Sequence, residues 1–466
     1  MSTLQPVNLP EPTDEGRFNA IDPLDGRYFD PQISRYLSER TRITFQAHIE
    51  AALAHALAEV GVCSQEVADQ IDTARFKIRA EDIAEEEKIT KHDVKAIVNC
   101  IKRELPESAQ PFVHFGATSY DIVSTAMSLQ LRTAIRELVL PRLQLLQDTL
   151  LELTDQYAET VQIGRTHGQH AVPITFGFML SGYVSRLGES MQALDELAGS
   201  LRGKFSGAVG SYNALSVFVD DPEAFEKTVL GYVGLDAAPA STQIVPAEGY
   251  IRLLDELAIT AGIMANLSHD MRNLQRTEIG EVRERFETGQ TGSSTMAHKR
   301  NPWNFENIIG MWKQVTAQLI NANLNISSEH QRDLTDSASA RFYTIPIASV
   351  ASMATRLQGV MSKIEVDTEA MQRNLHLTQG AIAAEPLYLL LEKYGHTTAH
   401  EISKELAHEA LERKISLCEA AAASADIADY WAKFSDHEKD LIKNPETTYT
   451  GLAAKKAHSI HAAWKK

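Results

Sequence analysis

Cysteine is scarce in this chain: Cys63, Cys100 and Cys418 are the only three in 466 residues. They are far apart, odd in number, and set in no Cys-x-x-Cys or Cys/His ligand spacing, which excludes a disulfide scaffold and a structural zinc site. Three free thiols fit a reducing compartment. Basic charge is in deficit too. Lys plus Arg number 45 against 62 Asp plus Glu, a formal charge of −17, so the broad basic face of a sequence-independent nucleic-acid binder is missing. An anionic small substrate remains open if it meets a local basic pocket. No uninterrupted apolar run of about 18 residues occurs, which excludes a transmembrane span. The most apolar stretch, 171–184, is broken by Pro173, Thr175, Gly177, Ser181 and Gly182. The first 18 residues hold three prolines and three carboxylates without an apolar centre, so no signal peptide is expected and the protein is expected in the cytoplasm.

What remains is an ordinary globular composition, 44% hydrophobic and 23% charged, on a chain long enough to bury a large core. The length allows about three domains. The dominant pattern is helical. Val139, Leu143, Leu146, Leu150, Leu153 and Tyr157 recur at spacings of 4, 3, 4, 3 and 4, an apolar seam along one long helix. Pro141 fits the first turn of that helix, where a missing N–H costs little. Leu253, Leu257, Met264, Leu267, Met271 and Leu274 form a second seam. Such seams indicate bundle packing, and alternating period-2 patterns are few, so the chain is expected to be all-α. The turn-forming run 105–111 and the shorter Ala- and Lys-rich helices of the last hundred or so residues divide it into regions 1–112, 113–367 and 368–466. No fixed-period repeat stands out, so a solenoid is not expected. Apolar seams this long call for cover by identical chains, so a homo-oligomer is expected.

Three polar, glycine-bearing segments interrupt the helices. In 113–121, Thr118 or Ser119 caps the following helix and Asp121 suits its N-terminal dipole; such a terminus also offers an anion site. In 164–173, His167 and His170 sit beside Thr166 and Gln169. A metal pair on one helical face lacks a nearby Asp, Glu or Cys to complete it, and an acid/base histidine in a polar pocket suits the segment better. The third segment, 287–302, combines Gly289 and Gly292 with five hydroxyl residues, Lys299, Arg300 and Asn301. Asn301-Pro302 marks a new helix, and the loop before it is built to close on an anion and exclude water. It has no Gly-Lys-Ser/Thr order, so it is not a phosphate loop of the Walker type. A hydrolase triad lacks its Gly-x-Ser-x-Gly elbow.

Gly292-Ser-Ser-Thr-Met-Ala-His-Lys-Arg-Asn-Pro302 closely resembles the signature of the fumarase/aspartase superfamily of β-eliminating lyases. Asp25-Gly-Arg-Tyr28, Lys91-His-Asp93, His114-Phe-Gly-Ala-Thr-Ser119, Arg165-Thr-His-Gly-Gln-His170 and Gln331-Arg-Asp-Leu-Thr-Asp-Ser337 are similar to motifs of its branch acting on succinylated purine ribotides. Ala297 stands where that branch usually has proline, which loosens the loop without removing a reacting group. Lys91 stands where some relatives carry asparagine.

The resemblance implies a three-domain helical fold with a central long-helix bundle, and removal of fumarate from a succinylated purine or imidazole carboxamide ribotide. A proton leaves the carbon beside a carboxylate, the dianion is held, and the departing nitrogen is protonated. No metal or organic cofactor is implied, since positioned donors supply the electrostatic stabilisation. Ser293 matches the general base and His167 the general acid. Lys299 and Asn301 would hold the carboxylate, and Glu306 would orient and charge a site histidine. His92, within Lys91-His92-Asp93, would contact the phosphate or succinyl side; Thr118 and Ser119 would hold a carboxylate. Arg27, Tyr28, Arg332, Ser337 and Arg341 match nucleotide anchors. Gln243 and Asn307 match succinyl or loop contacts, and Ser294 neighbours the base. The family's sites are shared among three chains of a homotetramer. The rivals are another lyase of the superfamily, such as an argininosuccinate lyase or a carboxymuconate cycloisomerase, disfavoured by Arg27, Tyr28 and Arg332, and a non-catalytic structural homologue, disfavoured by Ser293, His167 and Lys299.

Overall fold

The computed structural model describes residues 21–287, 289, 295, 296 and 298–465. Helices dominate it, and the strands among the described residues form three two-stranded pieces. By compactness the chain divides into two units. One comprises Met1–Arg142, Met191–Ala261 and Met311–Ala354; the other comprises Leu143–Ser190, Gly262–Gly310 and Thr355–Lys466.

The first unit is built around the helix Glu39–Glu59. Ser38 starts it, its Oγ accepting the Thr41 N–H at 3.3 Å and satisfying a donor that a helix N-terminus leaves open. Ile49, Leu53 and Leu57 share one face at spacings of four and are fully buried. With Ala52 and Ala56 they cluster against Ile71, Ile122 and Val229 of the helices Gln65–Ala74, Ser119–Ala134 and Pro222–Gly231. The alanines allow close approach, and each buried Leu or Ile contributes roughly 1.5–3 kcal/mol.

The helix Ser119–Ala134 runs through a π-helical turn, Ile135–Val139, into the helix Leu140–Gln156. Pro141 is the second residue of that last helix, as its missing N–H predicts, but what precedes it is not a loop. The Leu140 N–H reaches back to the Ile135 carbonyl, and the widened turn spares the proline ring the clash with a carbonyl four residues earlier. Val139, Leu143, Leu146 and Leu150 are buried, as are all six residues of the second seam, which lies on the helix Glu248–Leu274. Apart from Leu153 and Tyr157, which are half-buried, these seams are covered within one chain, so they leave little apolar surface of their own for association. The large apolar side chains left uncovered are others, among them Ile259 (55% exposed), Ile320 (69%) and Leu324 (72%).

The second unit contains an antiparallel hairpin, Val161–Thr166 with Gln169–Thr175, and a short ribbon of Val282–Arg283 with Glu365–Val366. Val161 and Ile163 pack on Leu375 and Ile382. Its C-terminal part is a helical cluster around Leu387, Leu391, Leu406 and Leu417. Ser416 and Ser435 start two of its helices with reciprocal bonds to Glu419 and Glu438, the paired-cap arrangement. No helix among the described residues is long and apolar enough to cross a membrane.

Candidate active site

In the first unit a cavity of about 410 Å³ brings together seven of the expected residues: Lys91, His92, Asp93, Ser119, Gln243, Ser337 and Arg341. His92 is the N-cap of the helix Asp93–Arg103; its Nδ1 accepts the Lys95 N–H at 3.3 Å, and its Nε2 lies 3.3 Å from Ser119 Oγ. With Nδ1 occupied as an acceptor, hydrogen bonding assigns the neutral ring's proton to Nε2, which donates to Ser119 Oγ and leaves the serine proton for a ligand. Lys91 has a left-handed backbone, φ 55°, and closes the preceding helix with its N–H 2.8 Å from the Glu87 carbonyl. That conformation is one that asparagine adopts more readily than lysine.

Arg341 reaches Asp93 (Nη2–Oδ2, 3.2 Å) and Glu39 (Nη1–Oε1, 3.6 Å). Arg42 joins the same two carboxylates, 3.6 Å from Asp93 Oδ2 and donating from Nε to Glu39 Oε2 at 2.8 Å. Burial pushes the Glu39 carboxyl up, but hydrogen bonding and charge from Arg42, helped by Arg341, outweigh it and hold the carboxyl below its ordinary range. Arg341 is thus preset, and an incoming anion must share it. Burial, reinforced by Asp336 and Asp93, pushes the Tyr120 phenol to about 12, so that it lines the cavity as a neutral hydroxyl.

Four expected residues of this unit do not line the cavity. Arg332, held at φ 110°, has a side chain only 4% exposed and pairs with Asp336 at 3.0 Å. Thr118 caps its helix, and its N–H is taken by Asp121 Oδ2 at 2.9 Å. Arg27 is exposed and Tyr28 half-buried in a turn closed by the Tyr28 N–H on the Pro23 carbonyl at 2.8 Å. Sequence reasoning missed Glu39, Arg42 and Gln46 of the lining. Glu39 and Arg42, three apart, read as a surface pair. Gln46 carried a usable signal: Gln46, Glu50, Leu53 and Leu57 are spaced 4, 3 and 4, so two polar residues extend the buried face of one helix. Gln46 is fully buried with neither amide atom hydrogen-bonded.

In the second unit, His167 and Gly168 form the hairpin's two-residue turn with φ of 54° and 76°, the doubly positive pattern of a type I′ turn. His167 is displayed, exposed, at its tip. Since the segment is a hairpin and not a helix, His167 and His170 share no helical face; His170 pairs with Arg165 instead, and the metal-pair geometry is lost. Burial, then the Arg165 charge, holds the His170 ring below its ordinary value. Between Ile163–Pro173 and Arg165–His170 the register slips, so two residues of the second strand oppose Gly164. A Cβ on Gly164 would lie 2.8 Å from the Val172 carbonyl oxygen. Gly164→Ala should therefore cost about 1–3 kcal/mol through overpacking, read as a lowered thermal midpoint; an unchanged midpoint would show that the bulge yields freely.

Ser293, Ser294 and Ala297 lie outside the described residues. Lys299 is exposed, its N–H 3.0 Å from the Met296 carbonyl; Asn301 and Asn307 are half-buried. The helix Trp303–Leu324 begins after Pro302, as expected, but its positive end is already occupied. The buried Glu284 carboxylate accepts the N–H groups of Asn304 (3.0 Å) and Phe305 (3.1 Å) and Asn304 Nδ2 (2.8 Å). A carboxylate seated there offsets the dipole, so this helix end has little left to offer a second anion. Glu306 is exposed and its carboxylate lies 3.2 Å from Arg272 Nε.

A family model described as lyase matches residues 26–317, and one described as adenylosuccinate lyase C-terminal matches residues 328–430. This chain belongs to that lyase family, with its all-α fumarase/aspartase-like fold. The adenylosuccinate lyase of Methanocaldococcus jannaschii is 34% identical over 94% of this chain and 95% of its own length; that of Pyrococcus horikoshii is 36% identical over 93% and 96%. An N-acetyl-S-(2-succino)cysteine lyase of Enterococcus italicus is 32% identical over 92% and 93%. Among solved structures, a 3-carboxy-cis,cis-muconate lactonizing enzyme from Pseudomonas putida superimposes with a TM-score of 0.82 at 28% identity, covering 96% of this chain and all of that one.

Proposed function

We propose that this chain is a carbon–nitrogen lyase that eliminates fumarate from adenylosuccinate, giving AMP, and from its imidazole carboxamide counterpart SAICAR, giving AICAR, two steps of purine nucleotide synthesis. The observation that carries this reading is near-full-length similarity to archaeal adenylosuccinate lyases together with the matching C-terminal model. On this reading Ser293 takes the proton beside the succinyl carboxylate. Lys299 and Asn301 stabilise the dianion as charge develops, and His167 delivers a proton to the departing nitrogen. Glu306 orients a site histidine. His92, Ser119, Gln243, Ser337 and Arg341 bind substrate from the cavity side, with Lys91 and Asp93 setting its charge. Arg27, Tyr28 and Arg332 anchor the nucleotide; Thr118, Ser294 and Asn307 complete the contacts.

The same reading includes the regions 1–112, 113–367 and 368–466, a homotetramer whose sites are shared between chains, and a cytoplasmic location, which the three free thiols support. The Enterococcus relative favours one second reading, cleavage of a carbon–sulfur bond in a succinylated thiol. The test is fumarate release by the full-length protein from adenylosuccinate, SAICAR, argininosuccinate and N-acetyl-S-(2-succino)cysteine. Release from the first two, undiminished by chelator, is the expected result. Release from only one of the last two would overturn the assignment.

A further inference from the structure

The Glu281 carboxylate is fully buried yet collects four hydrogen bonds. Arg165 binds it through both guanidinium ends, Nη2 to Oε1 at 2.6 Å and Nη1 to Oε2 at 3.2 Å. Gln162 Nε2 donates to Oε2 at 2.7 Å, and Asn374 Nδ2 to Oε1 at 2.7 Å. Three separate pieces of the second unit meet on this one group. Gln162 and Arg165 come from the first strand of the hairpin and Asn374 from the helix Thr368–Leu375, whose Nδ2 also donates to the Ile279 carbonyl at 2.9 Å. Glu281 itself leads into the ribbon strand, and its carbonyl accepts the Asp367 N–H at 2.9 Å. A forked arginine–carboxylate contact fixes orientation as well as distance. Arg165 stands two residues before His167, and a two-residue I′ turn leaves little slack between the end of the first strand and the turn's tip.

We propose that Glu281 and Arg165 are positioning residues for His167: the buried fork fixes the base of the hairpin and so aims the imidazole at the departing atom of the substrate. The inference rests on His167 being the proton donor. A hairpin loosened at its base keeps its ring and its charge but loses aim, and misplacement by about 1 Å costs on the order of 10²-fold in rate. Binding contacts made elsewhere are left as they were.

The test uses full-length Glu281→Gln and Arg165→Lys, which keep hydrogen-bonding groups while breaking the charged fork, beside His167→Ala. Substrates are adenylosuccinate and its analogue with sulfur in place of the departing nitrogen, whose thiolate leaves without a proton. On adenylosuccinate, kcat should fall about 10- to 100-fold while KM stays within about twofold. On the sulfur analogue both variants should lie close to the wild type, and so should His167→Ala. A change confined to KM, equal losses on both substrates, or wild-type kcat in either folded variant would overturn the proposal. If one variant fails to fold, the kcat-against-KM split in the other decides. Equal losses in His167→Ala on both substrates would remove the proton-donor reading, and the positioning proposal with it; that pattern is distinguishable because it appears in the His167 variant itself.

Discussion

His167→Ala should lower kcat for fumarate release from adenylosuccinate by about 10²–10⁴-fold, the range a positioned proton donor supplies, while leaving the unfolding transition nearly unchanged. The second half follows from the turn. His167 is exposed at φ 54°, so its side chain packs little, and its left-handed backbone is one that histidine tolerates better than alanine by a small margin only. The first half follows from chemistry: an amine leaving from the purine is a poor anion and needs a proton as the C–N bond breaks. Steady-state kinetics and thermal melts on the same preparation separate the two. Ser293→Ala should be equally inactive. If sites are shared between chains, subunit exchange between the two inactive proteins should restore part of the activity, because some mixed sites then draw both groups from unaltered chains. Normal turnover in His167→Ala removes the residue from its role; no recovery after proven exchange counts against sharing.

The helical class was legible because it is written in a period that short stretches repeat: four residues of the first seam and all six of the second are buried, and helix starts at Ser119 and Trp303 fall where the capping and proline signals put them. The hairpin was not. Six residues of strand carry only two or three alternations, and the local signal, His167-Gly168 as a doubly positive turn, is weak because Asn or Asp usually precedes the glycine. Site residues divided the same way. Of the residues lining the cavity, those in contiguous motifs, Lys91 to Asp93 and Ser119, could be read from the sequence. Arg42 and Glu281 could not, since each acts across a gap in sequence that only folding closes, and Gln46 showed only as a polar residue on an apolar spacing. Charge also misled. Glu284, Glu281 and Lys204 sit fully or almost fully buried, whereas composition treats every Glu and Lys as surface; nothing in the 287–302 segment shows that Glu284 fills the start of the helix that follows it.

Lys204→Met should be the most destabilising of the substitutions considered, by about 3–5 kcal/mol. Lys204 and Asp121 are both buried, 0% and 1% exposed, and paired directly. The ammonium also donates to the Gly207 carbonyl at 3.0 Å, and the Lys204 backbone exchanges two 3.0 Å bonds with Thr125 Oγ1. Without the lysine, the donors left to Asp121 among the described residues are the N–H groups of Thr118 at 2.9 Å and Gly207 at 3.2 Å. Two neutral dipoles do not compensate a carboxylate taken out of water. The loss is a large share of the roughly 5–15 kcal/mol that holds an ordinary domain, and it falls on the helix that carries Ser119, so activity should fall with it. Removing the stranded charge as well should repair most of the damage, since a buried ion pair is replaceable as a pair but not by halves. Urea midpoints of Lys204→Met, Asp121→Asn and the double variant, at one protein concentration, give the answer. A double variant no more stable than Lys204→Met would mean that the lysine contributes through packing of its chain and not through its charge.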